Sequence, residues 1–252
     1  PPVAPVPNSV PRLRPLRPAR RLDGCLVSTA VYSCAAWRRG LKQNAVDDWS
    51  AGAGSAPEDC GMVCLQGVDP DRPKVNQDAC YVMELQEGHL QAVVLDGHGK
   101  KGHVVSGALK AFLPDLIAQQ FDNDTNPGAA MCAAFQATDV ILRKAVGQAA
   151  RASGAAALAA IIQRGPLGET WTVDVACAGD CHAWLLEKVQ DRWIGSSISQ
   201  PSSCQREQER LEAAGGRVSN GILWAGPIGV AMSRALGDLA LRPFGLLAEP
   251  EL

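Results

Sequence analysis

Two residues with chemical potential, Asp96 and His98, follow a short apolar run in the stretch AVVLDGHGKKGH, residues 92–103. A carboxylate and the carbonyl of Gly97 can both bind a hard divalent cation, and an imidazole beside them can exchange a proton. Glycine lets the backbone approach an ion closely. Asp-Gly after an apolar run is also a strong signal for a plain hairpin turn, so this stretch alone leaves both interpretations open.

Two further acids, Asp78 and Asp180, are candidates to complete a cation site. Asp78 directly precedes a predicted strand over 79–85, and Asp96 ends a predicted strand over 90–96. If these strands pair antiparallel, the start of the first lies beside the end of the second, which predicts that Asp78 and Asp96 are neighbours. Asp180 lies in ACAGDCHAWLL, in a tight turn between strands. It is either a third acid of the site or an ordinary turn residue.

Hydrophobic periodicity predicts the elements that position these residues. Strands are predicted at 61–67, 79–85, 90–96, 156–162, 171–178, 182–188 and around Trp193. Helical spacing predicts one helix from His103, kinked or restarted at Pro114, a second after the loop 123–128, and a third over 205–216. Strands in a run, then helices, then strands again indicate a layered α+β fold rather than alternating βαβ units.

The composition narrows the class of protein. The chain has 252 residues, 46% of them hydrophobic, and a formal net charge of −2. That size allows one domain with extensions, and the balanced charge gives no sign of a nucleic-acid-binding surface. No apolar run is long enough to predict a membrane span. The nine cysteines include no C-x-x-C pair, so we expect reduced, mostly buried thiols in an intracellular protein rather than a disulfide framework or a zinc site.

The N-terminal part of the chain differs in composition from the rest. Residues 1–60 are predicted to be a disordered tail rich in Pro and Arg, followed by an Ala/Gly linker, and residues 61–252 to be the ordered domain. No acid precedes Asp23. A solvated tail is the favoured interpretation, with an Arg-rich targeting segment and a proline-rich partner ligand as alternatives.

Six stretches, taken together, resemble the metal-dependent type 2C serine/threonine protein phosphatases. They are KVNQDA, VLDGHG, SGAAALAAII, ACAGDCHAWLL, QREQERLEAAGGRV and GVAMSRALGDLAL with the terminal AEPEL. The resemblance implies an αββα sandwich of two antiparallel sheets flanked by helices. It also implies signalling by hydrolysis of phosphoserine and phosphothreonine in proteins, at a binuclear Mg²⁺ or Mn²⁺ site of two or more ions whose bridging hydroxide is the nucleophile.

The resemblance assigns roles to five residues. Asp96 corresponds to the bridging metal ligand, Gly97 to the carbonyl ligand and Asp78 to the metal aspartate of the first motif. His98 corresponds to the proposed general acid. Asp180 corresponds to the aspartate that serves a further, weaker metal.

Two more regions take their interpretation from the resemblance. Asp238, in SRALGD, is interpreted as a structural charge partner rather than a metal ligand, and residues 212–227 occupy the flap that contacts substrates and partners. The implied partners are phosphorylated proteins and no nucleic acid. We expect a monomer in the cytoplasm or nucleus, with organellar targeting by the Arg-rich N-terminus left open.

Several positions depart from the family's pattern. Lys74 and Arg72 are the cations nearest the place of its phosphate-binding Arg, and we assign Lys74 to the substrate phosphate. Gln77 replaces the first acid of a Glu-Asp pair and could hydrogen-bond a metal-bound water.

The later Asp-Gly-x-x-Asp and Asp-Asn motifs have no counterpart before Leu252, so we expect a sandwich incomplete at its C-terminal end. The alternative function is a catalytically inactive pseudophosphatase that acts as a protein-binding module.

Overall fold

The computed structural model describes residues 62, 64–66, 75–121, 125–165, 170–190 and 192–252. The strands in these ranges are β1 (Asp78–Glu84), β2 (Leu90–Gly99), β3 (Ser153–Arg164), β4 (Trp171–Ala178), β5 (Trp184–Val189), β6 (Arg192–Ser197), β7 (Arg217–Ser219), β8 (Ile222–Ala225), β9 (Ile228–Val230) and β10 (Leu236–Gly237). The α-helices are α1 (Gly102–Gln120), α2 (Pro127–Ala145) and α3 (Gln208–Ala213). Short 3-10 helices lie at Gln86–Gly88, Gly147–Arg151 and Leu239–Phe244.

β3 is the centre of the main sheet. It pairs antiparallel with β2 along one edge, and with β4 and then β10 along the other. β1 extends the sheet beyond β2, also antiparallel. The sequence of β3, SGAAALAAIIQR, is buried from its first residue through Ile162, so both of its faces are covered and its apolar run is continuous rather than alternating.

The largest apolar core lies between this sheet and the helices α1 and α2. Side chains of α1 at helical spacing are fully buried there: Val105, Leu109, Leu113 and Ile117. Every second residue of β3 faces them: Ala155, Ala157, Ala159 and Ile161. The small alanines let the helices approach the sheet closely, and the larger aliphatic side chains of α1 fill the space between the layers.

Two smaller antiparallel sheets complete the described strands. β5 pairs with β6, and this hairpin leaves Trp184 and Trp193 more than half exposed. β7, β8 and β9 form a three-stranded meander, against which α3 packs. The predicted class, α+β with antiparallel sheets flanked by helices, is therefore confirmed.

A partly buried ionic cluster ties α3 to the segment that follows β9. Glu207 accepts hydrogen bonds from Arg234 Nε at 2.9 Å and from the Ser233 hydroxyl at 3.1 Å, and it also contacts Arg210. Burial alone would raise the pKa of Glu207, but the two arginines outweigh it and hold that pKa below its ordinary value. The stretches QREQER and SRALGD are thus joined by charge as well as by packing.

The structure differs from the predicted elements in three places. The predicted strand at 61–67 is wrong for the described residues 62 and 64–66, which belong to no strand. Helix α1 continues through Pro114 without a break, because the apolar side chains on both sides of the proline are held in the core. The third helix covers only 208–213, since turn residues precede it.

Two further expectations concern cysteines and membranes. Of the six described cysteines, Cys177 and Cys204 are buried and the other four are half-buried, so fewer of them are buried than the sequence predicts. Within the described ranges, no helix combines the length and apolar character needed to cross a membrane.

We expect Leu109→Ala to lower the free energy of unfolding by about 3 kcal/mol, because it removes buried methyl groups and leaves a cavity under α1. Val140, on the solvent face of α2, is 55% exposed. Val140→Ala is the matched control and should cost less than about 0.5 kcal/mol. Urea denaturation followed by circular dichroism measures both, and equal losses would show that the core is not where the structure puts it.

Candidate functional site

The pairing of β1 with β2 brings two acids together. Asp78 lies directly opposite Asp96 in the antiparallel register, so the predicted neighbourhood of these residues is confirmed. Directly opposed side chains on adjacent strands have Cβ atoms about 5 Å apart, and like charges at that distance repel. The two carboxylates therefore form a concentrated negative charge at the edge of the sheet.

The pKa of Asp96 depends on burial and on this negative charge. Burial raises the pKa of Asp96 to about 6, and the negative charges of Asp78 and Asp180 act in the same direction. Asp180 lies in the turn after β4 and is exposed to solvent. Three acids from three parts of the chain therefore act on one another at this site.

The donor chemistry fits a hard divalent cation, because carboxylate and carbonyl oxygens are the ligands that Mg²⁺ and Mn²⁺ prefer. The repulsion between Asp78 and Asp96 is what such an ion would relieve. Within the described part of the chain, however, no three His, Cys, Asp or Glu side chains are grouped closely enough to hold an ion. Asp180 therefore acts on Asp96 through its charge, and the described side chains do not by themselves form a complete cation site.

Gly97 follows Asp96 where the backbone is tightly packed. Its N–H donates to the carbonyl of Gln77 at 3.1 Å. A Cβ at position 97 would collide with that carbonyl and lie 2.8 Å from the carbonyl of Gly102. Glycine is therefore required by contact at the position that directly follows Asp96.

His98 contacts an acid from a distant part of the chain. Its Nε2 lies 2.5 Å from Oδ2 of Asp238, whose side chain is 3% exposed. Burial alone would lower the pKa of His98, but the contact with Asp238 outweighs it and the pKa is raised. The prediction that Asp238 is a charge partner is confirmed, and the partner is His98.

A glycine makes room for this contact. His98 pairs across the sheet with Gly154. A Cβ on Gly154 would collide with Oδ2 of Asp238 and lie 2.8 Å from its Cγ. The carboxylate of Asp238 thus occupies the space where any other residue at 154 would place its side chain.

The backbone of Asp238 is also held in place. Its φ of 46° and ψ of 44° are left-handed, a conformation that Asp tolerates better than most residues. Its N–H donates to the carbonyl of Ser153 at 3.0 Å. One residue earlier, Gly237 donates to Asp139 of α2 at 3.4 Å, and Asp139 accepts a second bond from Arg242 at 2.6 Å. Helix α2 therefore anchors the turn that carries Asp238.

Sequence reasoning missed the support that residues 153 and 154 give the site. The hydroxyl of Ser153 accepts a hydrogen bond from the Lys101 N–H at 3.0 Å, next to the start of α1. A signal was present, because a Ser-Gly pair opens an otherwise continuous apolar strand. Lys74 and Arg72 lie outside the described residues.

We expect Asp96→Asn to stabilise the metal-free protein near neutral pH by about 1–2 kcal/mol, after discounting for the part of the group that solvent reaches. The folded protein raises the Asp96 pKa from 3.8 to about 6. Its contribution to stability is therefore full below pH 3.8 and is lost as the pH rises through 6. Asparagine carries no charge to lose, so the advantage of the variant should vanish in acid.

Urea denaturation in EDTA, at about pH 4 and about pH 7.5, tests this expectation. Asp115→Asn, an exposed acid on α1, is the control and should change the stability by less than about 0.5 kcal/mol. If Asp96→Asn is no more stable than the wild type at the higher pH, the acids do not repel one another as described.

Comparisons with known proteins identify the family of the chain. A family model described as protein phosphatase 2C matches residues 80–252. Probable protein phosphatase 2C 41 of Arabidopsis thaliana is 27% identical over 209 residues, covering 71% of this chain and 58% of its own length. Probable protein phosphatase 2C member 13, mitochondrial, of Oryza sativa subsp. japonica is 29% identical over 233 residues, covering 89% of this chain and 58% of its own length.

Solved structures share the fold. A sex-determining protein of C. elegans superposes with a TM-score of 0.59 at 21% identity, over 74% of this chain and 45% of that protein. Serine-threonine phosphatase 2C from Toxoplasma gondii gives a TM-score of 0.55 at 15% identity, over 69% of this chain and 71% of its own. The chain spans 58% of the length of the two curated relatives above. Since the family match extends over well more than half of its residues, the chain belongs to the protein phosphatase 2C family.

Proposed function

We propose that this protein removes phosphate from phosphoserine and phosphothreonine residues of other proteins, with Mg²⁺ or Mn²⁺ as cofactor. The observation that carries the proposal is the opposed pair of Asp78 and Asp96 at the edge of the main sheet. Its charge is arranged for a divalent cation, and it lies within a fold whose family acts on phosphoproteins. Activity, substrates and partners of the whole protein are all part of this proposal.

The residues that would hold the metal are the carboxylates of Asp78 and Asp96 and the carbonyl of Gly97. Asp180 is a candidate for a further, weaker ion, as its exposed position in the turn after β4 suggests. Bound Mg²⁺ or Mn²⁺ would supply neutralisation of the phosphate charge and activation of water. Lys74 remains a candidate for contact with the substrate phosphate.

His98 would act on the leaving group. As the P–O bond to the serine or threonine oxygen breaks, that oxygen takes a proton, and His98 is placed to give it. Nε2 faces Asp238, and Nδ1 has no hydrogen-bond partner among the described residues. Asp238 orients the ring and favours its charged form, while Nδ1 is shielded from solvent.

The surface for the protein substrate would lie near residues 212–227. This segment runs from the end of α3 through β7 to the end of β8 and the turn that follows, and much of it is exposed. We place the protein as a monomer in the cytoplasm or nucleus.

We expect the full-length protein to hydrolyse a phosphothreonine peptide with Mn²⁺ or Mg²⁺ and to lose that activity in EDTA. Asp96→Asn should lower kcat/KM by about 10²-fold or more, since a carboxylate ligand contributes several kcal/mol of charge stabilisation. Steady-state phosphate release measures both effects. Asp115→Asn, on the solvent face of α1, is the matched acid-to-amide control and should retain full activity.

Undiminished turnover by Asp96→Asn would remove that residue from the site. A folded protein that binds a phosphopeptide but releases no phosphate at any Mn²⁺ concentration would favour the alternative, a pseudophosphatase that acts as a protein-binding module.

We expect His98→Ala to lower kcat on phosphothreonine peptides by about 10²–10⁴-fold, the usual worth of general-acid help. An aryl phosphate has a leaving group that needs no proton, so the fall in kcat of His98→Ala on that substrate should be much smaller. Parallel assays of the two substrates at saturating Mn²⁺ make the comparison. Equal losses on both would indicate that His98 only positions or packs against its neighbours.

A further inference from the structure

Gln77, the residue just before β1, is hydrogen-bonded through its backbone to the segment Asp96–Gly102. This segment, called the Asp96–Gly102 turn below, comprises the last four residues of β2 and the turn that leads into α1. Its carbonyl accepts the hydrogen bond from Gly97 N–H at 3.1 Å. The same carbonyl occupies the space that a Cβ at position 97 would need. The backbone of residue 77 therefore fixes the position of the chain directly after Asp96.

The side chain of Gln77 closes the same turn from its other end. Its Nε2 donates to the carbonyl of Gly99 at 2.8 Å. A Cβ at Gly102 would lie 3.0 Å from Oε1 of Gln77, so the amide lies against the start of α1 as well. Gly99 has a φ of +82°, in the left-handed region. Because glycine has no side chain, contacts from other residues must hold this conformation.

An acid at position 77 would act in the opposite way. A carboxylate has no N–H to donate, so the carbonyl of Gly99 would face a second acceptor. A carboxylate would also add negative charge beside Asp78 and Asp96, which already lie directly opposite each other on adjacent strands. The amide therefore holds the turn without a cation, whereas an acid would depend on one.

We propose that Gln77 is a positioning residue that clasps the Asp96–Gly102 turn in its ligand-ready conformation before any metal binds. The donor set is then preorganised by an amide rather than by the ion. The role of this turn in metal binding rests on the proposed function. The hydrogen bonds between Gln77 and the turn, however, form in the metal-free protein. An amide that only hydrogen-bonded a metal-bound water would have no such effect without the ion.

Hydrogen–deuterium exchange in EDTA separates these two roles. Gln77→Met keeps the length of the side chain and removes its donor, and Gln77→Glu keeps its shape and removes the donor as well. Both should speed exchange in the peptides that cover residues 96–104 by about five- to tenfold, the effect of losing one hydrogen bond. Gln119→Met, on the exposed end of α1, is the matched control and should leave those peptides unchanged.

Metal binding gives the second readout. Mn²⁺ affinity, followed by the electron paramagnetic resonance of free Mn²⁺, should fall about five- to tenfold in Gln77→Met, because the ion must then order the turn. Saturating Mn²⁺ should restore slow exchange in residues 96–104 of that variant, a rescue that general loss of stability would not show.

Two results would overturn the proposal. One is wild-type exchange of residues 96–104 in EDTA for both Gln77 variants, with only Mn²⁺ affinity reduced, which would assign Gln77 to a metal-bound water. The other is faster exchange spread over the whole chain in both variants. Because the exchange is measured without metal or substrate, a protein with no phosphatase activity would still support or overturn the clasp.

Discussion

The register of β2 between its two neighbours decides where the candidate site lies. Val93 and Leu95 are buried in the core beneath the helices, so the alternating side chains Asp96 and His98 belong to the other face of the sheet. A slip of one residue would turn these two apolar side chains out of the core and exchange the faces. The apolar core thus fixes which residues lie opposite Asp96 and His98, because it fixes the register of β2.

That register places like charges opposite each other, which opposes folding. The sheet accommodates Asp78 and Asp96 because the pairing is held along the whole of β1 and by the extensive contacts of β2 with β3. A site that concentrates charge for a ligand is less stable when that ligand is absent, a conflict common at functional sites. His98 and Asp238 show the opposite arrangement, a partly buried pair in which the carboxylate favours the charged form of the imidazole.

Local contacts in this fold could be predicted from the sequence, and long-range ones could not. The neighbourhood of Asp78 and Asp96 follows from one hairpin, because two adjacent strands with a short connection pair antiparallel. The contact between His98 and Asp238 joins residues 140 apart in the chain, and its partner could not be chosen from several acids by pattern alone. The hydrogen bond of Gln77 to Gly99 depends on one side-chain rotamer, which no periodicity encodes. The prediction of a strand failed at the described residues 62 and 64–66, because a short apolar run fits several structures.

The absence of a side chain at position 154 links two distant parts of the sequence. Since the carboxylate of Asp238 fills the volume that a Cβ would take, each position constrains which residues the other accepts. A larger residue at 154 is sterically compatible only with a smaller or displaced side chain at 238, and His98 then loses its partner. Substitutions at these positions will be strongly non-additive. In a set of related sequences, Gly154, Asp238 and His98 should be gained and lost as a unit.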